Sequence, residues 1–143
     1  MRKDLIASAS ISIKAPLSIV WKAITDPGMI EKYFFGTEVI TDWKVGSDIV
    51  FQGSYEGKKY RDHGKIMVND HEKTLQYTYL SSMSKLEDKP ENYSFVTLSM
   101  AAKEGGVELS ASQKGFVNEE AQTHGNSGWK MILEGIKKLV ENT

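Results

Sequence analysis

The residues best suited to chemistry lie in the middle of the chain, where apolar and polar residues alternate. Asp62 is the one carboxylate that this alternation places on the same face as Tyr60, Ile66 and Val68. A carboxylate on a concave face could bind a cationic or hydroxylated ligand, or serve as a general base. Alternatively, Asp62 lies near a strand end and accepts a hydrogen bond from a neighbouring tyrosine, or a bulge turns it outward.

Aromatic residues form a second group, because they supply more aromatic area than most small cores use. Buried tyrosine hydroxyls and indole N–H groups need hydrogen-bond partners, so several together are typical of a small-molecule pocket with a few polar groups. Plain core packing is the alternative. If a pocket forms, we expect it to be lined by Phe51, Tyr60, Asp62, Tyr77, Tyr79, Val96, Gln113, Gly125, Trp129 and Leu133.

Two glycines near the end of the chain bear on whether such a pocket exists. A glycine inside a helix costs about 1 kcal/mol relative to alanine. In a helix, Gly125 falls near Trp129 and Ile132, and Gly128 falls close to the same stripe. Missing side chains there would leave unfilled volume between the helix and a sheet. The alternative is that the helix begins only at Ser127.

Several other kinds of site are not expected. The histidines His63, His71 and His124 lack metal-binding spacing and the chain has no cysteine, so we expect no metal site and no thiol chemistry. No phosphate-binding glycine motif or nucleophile motif is present, and we assign no cofactor and no catalytic residue. A formal net charge of -1 and the lack of a long apolar segment give no signal for nucleic acid or a membrane.

The start of the chain is expected to form one strand and two short helices. Between Leu5 and Ile13, apolar residues alternate with serines, which predicts a half-buried strand. Pro16 suits the first turn of a helix whose apolar residues recur at i, i+3, i+4 and i+7. Asp26 is expected to cap a second short helix that has Pro27 at its first position.

The rest of the chain is expected to form strands and then one long helix. A polar loop is predicted over 81–92, and tight reversals are predicted at Gly46-Ser47, Glu56-Gly57, Asn69-Asp70 and Gly105-Gly106. Asn118 is the expected N-cap of the last helix. Its apolar stripe is Trp129, Ile132, Leu133, Ile136, Leu139 and Val140.

This order of elements predicts a single α+β domain, 1–143, with a helix-grip fold. In that fold a curved antiparallel sheet wraps around the long C-terminal helix, and two short helices follow the first strand. We expect the strand near Leu5 to lie in the same sheet as the Val107–Phe116 strand.

Several segments, from the first helix to the last, carry a resemblance to a known family. They read APLSIVWKAITDPGMIEKYF, WKVGSDIVF, HGKIMVND, KTLQYTY, SQKGF and GWKMILEGIKKL. In these segments the chain resembles the activator-of-Hsp90-ATPase homologue family of the START-like (Bet v 1-like) superfamily. The resemblance implies the helix-grip fold but no single function, because the superfamily includes lipid carriers, hormone receptors and cyclases.

Two departures from the family pattern bear on function. Gln113 stands where the family commonly has histidine, so hydrogen bonding is retained at this position and proton transfer is lost. The namesake co-chaperone also carries an additional N-terminal domain that binds the chaperone. In a chain of 143 residues we expect no such domain, which argues against Hsp90 activation.

Our main hypothesis is that a small, largely apolar or amphipathic molecule binds in a cavity between the sheet and the last helix. A second hypothesis is an enzyme of the cyclase, dehydratase or hydrolase type that uses Asp62 and a pocket tyrosine. A third is a module that contacts a chaperone through its surface. We expect a cytoplasmic monomer or homodimer that binds neither nucleic acid nor a membrane.

Overall fold

A computed structural model describes residues 1–142, which form one seven-stranded antiparallel sheet and three α-helices. The elements in chain order are β1 (Arg2–Ile13), α1 (Leu17–Thr25), α2 (Pro27–Tyr33), β2 (Glu38–Ile40), β3 (Asp48–Tyr55), β4 (Lys58–Asp70), β5 (Thr74–Tyr79), β6 (Ser94–Lys103), β7 (Gly106–Phe116) and α3 (Glu119–Glu141). The sheet is curved, and α3 contacts β1 and β7 as well as both short helices. The predicted helix-grip fold is confirmed.

The sheet follows the chain order except at one edge. The strand order is β1-β7-β6-β5-β4-β3-β2, so the first strand pairs with the last one, as expected. Short reversals join most of the other neighbours. The β3–β4 hairpin turns through Glu56 and Gly57, whose φ angles of 49° and 81° match the left-handed backbone that a two-residue hairpin turn requires.

The second short helix begins where the sequence predicts, whereas the first begins at Leu17, with Pro16 just before it as the N-cap residue. The side chain of Asp26 accepts a hydrogen bond from the backbone N–H of Gly28 at 2.9 Å, and Pro27 opens α2. The helix α1 buries Val20, Trp21, Ala23 and Ile24.

The last helix begins early enough to contain both glycines. The Asn118 side chain accepts a hydrogen bond from the backbone N–H of Ala121 at 2.9 Å, so α3 begins at Glu119. Gly125 and Gly128 are therefore helical, and the alternative start at Ser127 is wrong. Within residues 1–142, none of the helices combines the length and the apolar character needed to cross a lipid bilayer.

A bulge in β4 corrects two details of the sequence prediction. Ile66 pairs with Tyr77 and Val68 pairs with Gln76, which leaves Met67 as the extra residue. The bulge breaks the alternation, so Val68 does not join the inner face and is 36% exposed. The strand also continues to Asp70, so the reversal predicted at Asn69-Asp70 occurs just after these residues.

Candidate functional site

A pocket of about 140 Å³ lies between the first half of α3 and the inner face of the sheet. Strands β5, β6 and β7 supply one wall, α3 supplies the opposite wall, and the residue after α2 closes one side. We call this space the inner pocket; it is lined by Phe34, Tyr77, Tyr79, Val96, Gln113, Gly125, Gly128, Trp129 and Ile132.

A second, smaller space of about 30 Å³ adjoins the inner pocket. The two spaces share four lining residues, Phe34, Tyr77, Trp129 and Ile132. The smaller space is otherwise walled by core side chains that include Phe51, so it has room for only one or two water-sized groups. The empty volume near α3 is therefore concentrated at the inner pocket.

A chain of hydrogen bonds fixes the polar side of the inner pocket. Trp129 Nε1 donates to Gln113 Oε1 at 3.0 Å, and Gln113 Nε2 donates to Ser94 Oγ at 3.3 Å. Ser94 Oγ donates in turn to the carbonyl oxygen of Gly115 at 2.8 Å. Because each group has a protein partner, Trp129 and Gln113 are held in place as rigid walls.

Tyr77 differs from these groups, because no protein group in residues 1–142 hydrogen-bonds to its hydroxyl. The residue is only 5% exposed, and burial raises the pKa of its hydroxyl far above the usual value. Every fully enclosed side-chain polar atom in that part of the chain has a partner, so the Tyr77 hydroxyl still reaches open space. Tyr77 lines both the inner pocket and the smaller space beside it, so a group that occupies this volume could hydrogen-bond to its hydroxyl.

Asp62 is buried and fully hydrogen-bonded. Tyr79 Oη donates to Asp62 Oδ2 at 2.5 Å, and Ser82 donates to Asp62 Oδ1 from its backbone N at 2.8 Å and from its Oγ at 3.0 Å. Burial and the negative charge of Asp62 raise the pKa of Tyr79 well above its usual value. Asp62 does not line the inner pocket, so its hydrogen bonds match the structural alternative and tie β4 to β5 and to Ser82.

The other expected site residues divide into two groups. Tyr77, Tyr79, Val96, Gln113, Gly125 and Trp129 converge on the inner pocket. Besides Asp62, three expected residues lie outside the inner pocket: Phe51, Tyr60 and Leu133. The Phe51 ring contacts those of Tyr77 and Tyr79 from the smaller space, with centroids 5.3 and 5.7 Å apart. Leu133 is a core residue that is 1% exposed, and Tyr60 Oη lies 2.5 Å from Thr37 Oγ1.

The two glycines of α3 play different roles. A Cβ atom on Gly125 would lie 2.8 Å from two ring atoms of Phe116 and 3.2 Å from Cβ of Ala7. Gly125 therefore allows α3 to pack closely on the sheet. A Cβ atom on Gly128 would meet nothing within 4 Å, so only this glycine leaves unfilled volume.

Three lining residues were not among those expected, Phe34, Gly128 and Ile132, although helical spacing places Gly128 close to the same stripe. Ile132 follows Trp129 by three residues in the same apolar stripe, so helical spacing could have identified it. Phe34 comes from the turn after α2, and no spacing rule brings that turn beside α3. In residues 1–142, no group of three or more His, Asp or Glu side chains could hold a metal ion.

Comparison with known proteins identifies the family. ChR145 from Cytophaga hutchinsonii is 41% identical to this chain, with a TM-score of 0.84, and the match covers 99% of this chain and 97% of that chain. MLL2253 from Mesorhizobium loti is 22% identical with a TM-score of 0.79, covering 96% of this chain and 98% of that chain. CV1439 from Chromobacterium violaceum is 21% identical with a TM-score of 0.79, and the match covers 96% and 98% of the two chains. The last two likenesses show the fold alone.

No curated protein sequence matches the chain significantly. The profile of the family described as activator of Hsp90 ATPase homolog 1-like protein matches residues 14–141, which is nearly the whole chain. The chain therefore belongs to the activator of Hsp90 ATPase homolog 1-like family.

Proposed function

We propose that this chain binds one small, largely apolar molecule in the inner pocket, with the Tyr77 hydroxyl as its hydrogen-bond partner. The observation that carries the proposal is that Tyr77, whose hydroxyl has no protein partner within residues 1–142, lines a mainly aromatic and aliphatic space. A ligand with one oxygen or nitrogen atom could pair with that hydroxyl. The polar groups of Trp129 and Gln113 already have protein partners, so they shape the pocket.

The volume of the inner pocket limits the size of the ligand. Pockets for drug-sized ligands have volumes of about 300–1,000 Å³, whereas an engineered apolar cavity of about 150 Å³ binds benzene. The inner pocket, at about 140 Å³, therefore fits a molecule of about one ring. A longer ligand would have to displace Phe34, the lining residue that is neither in a helix nor in a strand.

The hydroxyl of Tyr77 can be tested with two ring compounds of nearly the same shape, 4-methylphenol and toluene. Amide NMR titration of the wild type should give saturable shifts at the lining residues with both. Tyr77→Phe should weaken the binding of 4-methylphenol by about five-fold, because one hydrogen bond is lost. The affinity for toluene should not change. Tyr55→Phe is the matched control, because Tyr55 is 65% exposed and lines neither this pocket nor any space beside it. Absence of saturable shifts at the inner pocket with either compound would overturn the proposal.

Filling the space tests the pocket itself. A leucine at Gly128 grows from a position with no atom within 4 Å on the pocket wall, so it should occupy the space that the ligand needs. We expect Gly128→Leu to weaken the binding of both compounds by at least about ten-fold, which corresponds to about 1.4 kcal/mol of binding free energy. Gly128→Ala is the control, because one methyl group leaves most of the volume free. Equal binding by the leucine and alanine variants would contradict the proposed location.

A further inference from the structure

A larger pocket, of about 370 Å³, lies on the opposite, outward-facing side of the sheet. Outward positions of β4, β5 and β6 form its floor, and the loop between β5 and β6 forms its wall. We call it the outer pocket; its lining residues are Asp48, His63, Gly64, Lys65, Met67, Thr78, Asp88, Pro90, Tyr93 and Phe95. Unlike the inner pocket, its volume lies in the usual range for small-molecule sites.

The outward face of the sheet is mainly polar on β1 and β7, with Ile6 as an exception, whereas the floor of the outer pocket carries two large apolar side chains. The outward positions of β1 and β7 include Ser8, Ser10, Ser12, Glu108, Ser110 and Ser112. On the same face, Met67 is 44% exposed and Phe95 is 37% exposed, and both line the outer pocket. The bulge in β4 leaves Met67 unpaired in the ladder. Large apolar side chains on the solvated face of an antiparallel sheet indicate a contact surface.

The wall of the outer pocket is a cluster of three hydrogen-bonded side chains. Tyr93 Oη donates to Asp88 Oδ1 at 2.5 Å. His63 Nε2 lies 2.9 Å from Tyr93 Oη and 3.2 Å from Asp88 Oδ2. Because the tyrosine hydrogen is already used and a carboxylate only accepts, Nε2 of His63 must carry the hydrogen that both bonds share. In the neutral ring, Nδ1 is then an acceptor.

The remaining hydrogen-bonding capacity of this wall is therefore mostly that of acceptors. The donors of Tyr93 and His63 are used within the cluster, whereas Asp88 and His63 Nδ1 still have free lone pairs. Asp48 adds a second carboxylate, which is exposed and paired with Lys65 at 2.9 Å. With the histidine neutral, two carboxylates and one ammonium give the lining a net charge of -1. Lys3 lies outside the lining, with Nζ 5.8 Å from the centroid of the Phe95 ring.

We propose that the outer pocket is a second ligand site, which takes a small amine that carries an aromatic or branched apolar group. The ammonium group donates hydrogen bonds to the carboxylates of Asp48 and Asp88. The apolar group lies on Met67 and Phe95, beside the Tyr93 ring. Lys3 already holds a cation position over the Phe95 ring and donates to the backbone carbonyl oxygen of Tyr93, so the ammonium group of the ligand is placed at the carboxylates and only its apolar group lies on Phe95. This site does not depend on the inner pocket.

The probe for the outer pocket is 2-phenylethylamine, compared with two near-isosteres, neutral 2-phenylethanol and anionic 3-phenylpropionate. In amide NMR titrations of the full chain, the amine should shift His63, Lys65, Met67 and Phe95 saturably. The alcohol should bind about three-fold more weakly because it lacks the charge, and the acid more weakly still. Shifts by the amine that occur only at inner-pocket residues, or a preference for the acid, would overturn the proposal.

Variants on the floor and rim separate the two parts of the site. Phe95→Ser should weaken the binding of the amine by about five-fold, because the aromatic contact is lost. Asp48→Asn should weaken it by about two-fold, because one exposed charge is removed. Ile6→Ser is the matched control, because Ile6 is 49% exposed and does not line the outer pocket. The amide spectrum of each variant verifies that the chain is folded. Unchanged affinity in both Phe95→Ser and Asp48→Asn, or an equal loss in Ile6→Ser, would overturn the proposal.

Discussion

The inner and outer pockets lie on opposite faces of the same sheet and are built by different means. The inner pocket is a gap in the core, so the side chains that line it also hold α3 against the sheet. The outer pocket lies outside the core, between the outward face of the strands and a loop. Hydrogen bonds among three side chains form its wall. We therefore expect binding and stability to be coupled at the inner pocket and nearly independent at the outer one.

The same chemical pair appears on both faces in different surroundings. Inside, Tyr79 donates to Asp62 at 2.5 Å, and Asp62 is 7% exposed. Outside, Tyr93 donates to Asp88 at 2.5 Å, and the Asp88 side chain is 63% exposed. Water can replace the outer hydrogen bond but not the inner one, so the two pairs should contribute differently to stability.

The largest expected difference between the faces concerns their main aromatic residues. Trp129 is 6% exposed and hydrogen-bonded to Gln113, so Trp129→Ala should lower the free energy of unfolding by about 3 kcal/mol. We expect the low end of the range for buried aromatics, because Trp129 already faces unfilled space. Phe95→Ala, on the outer face, should cost less than about 1 kcal/mol. Urea titration of both variants measures the difference, and equal losses would contradict the contrast.

The fold was predictable because local and global signals agree. The alternation between Leu5 and Ile13, the capping by Asp26 and Asn118, and the Glu56-Gly57 turn all specify elements that the structure contains. Each of these signals acts over a few residues, where steric and hydrogen-bonding rules are strong. The bulge at Met67 was missed because alternation assumes a regular ladder.

The inner pocket was predictable only in part, because its walls depend on contacts between distant segments. Strand alternation places Tyr77, Tyr79, Val96 and Gln113 on one face, and all of them line the pocket. No sequence rule reveals that Phe116 lies against Gly125. The outer pocket was not predicted at all, since it requires the 81–92 loop to fold back over β4, and loop paths have no periodic signal.

Removing the two carboxylates compares the buried and exposed tyrosine–aspartate pairs directly. Asp62→Ala leaves the Tyr79 hydroxyl and the backbone N–H of Ser82 without their partner, so it should cost about 2 kcal/mol of unfolding free energy. Asp88→Ala is the matched change on the outer face and should leave the free energy of unfolding nearly unchanged. Thermal unfolding followed by circular dichroism tests both variants. A larger loss for Asp88→Ala than for Asp62→Ala would reverse the comparison.

Alanine substitutions at the two glycines of α3 test how closely this helix packs on the sheet beside the inner pocket. Gly125→Ala should lower the free energy of unfolding by about 1 kcal/mol, because its Cβ would overlap the Phe116 ring. Gly128→Ala should raise it by up to about 1 kcal/mol, because an alanine favours the helix and meets only open space. Denaturant titration gives both values. Changes of the same sign would show that the helix packs on the sheet differently at these positions.

The smallest effect we expect is the pH dependence of the outer cluster. Desolvation, followed by the hydrogen bond to Asp88, raises the pKa of Tyr93 to about 12, from about 10 in an unfolded chain. The hydrogen bond from Tyr93 lowers the pKa of Asp88. A raised tyrosine pKa favours the folded state below about pH 10, and that contribution is lost as the pH rises towards 12. The lowered carboxyl pKa contributes above about pH 4 and is lost in acid. The cluster should therefore hold the loop over the whole range between these limits.

Absorbance at the tyrosinate band, recorded for the wild type and Tyr93→Phe, isolates the titration of this one hydroxyl. The difference curve should have its midpoint near pH 12, with circular dichroism at each pH verifying that the chain is folded. In Asp88→Ala the midpoint should move down towards 10, because the hydrogen bond that favours the protonated hydroxyl is gone. Tyr77, in the core, is the internal reference for this titration. Burial keeps the pKa of Tyr77 raised in both proteins, so its titration should not respond to Asp88→Ala. A midpoint near 10 in the folded wild type would mean that Tyr93 is not held by Asp88, and the wall of the outer pocket would then be open.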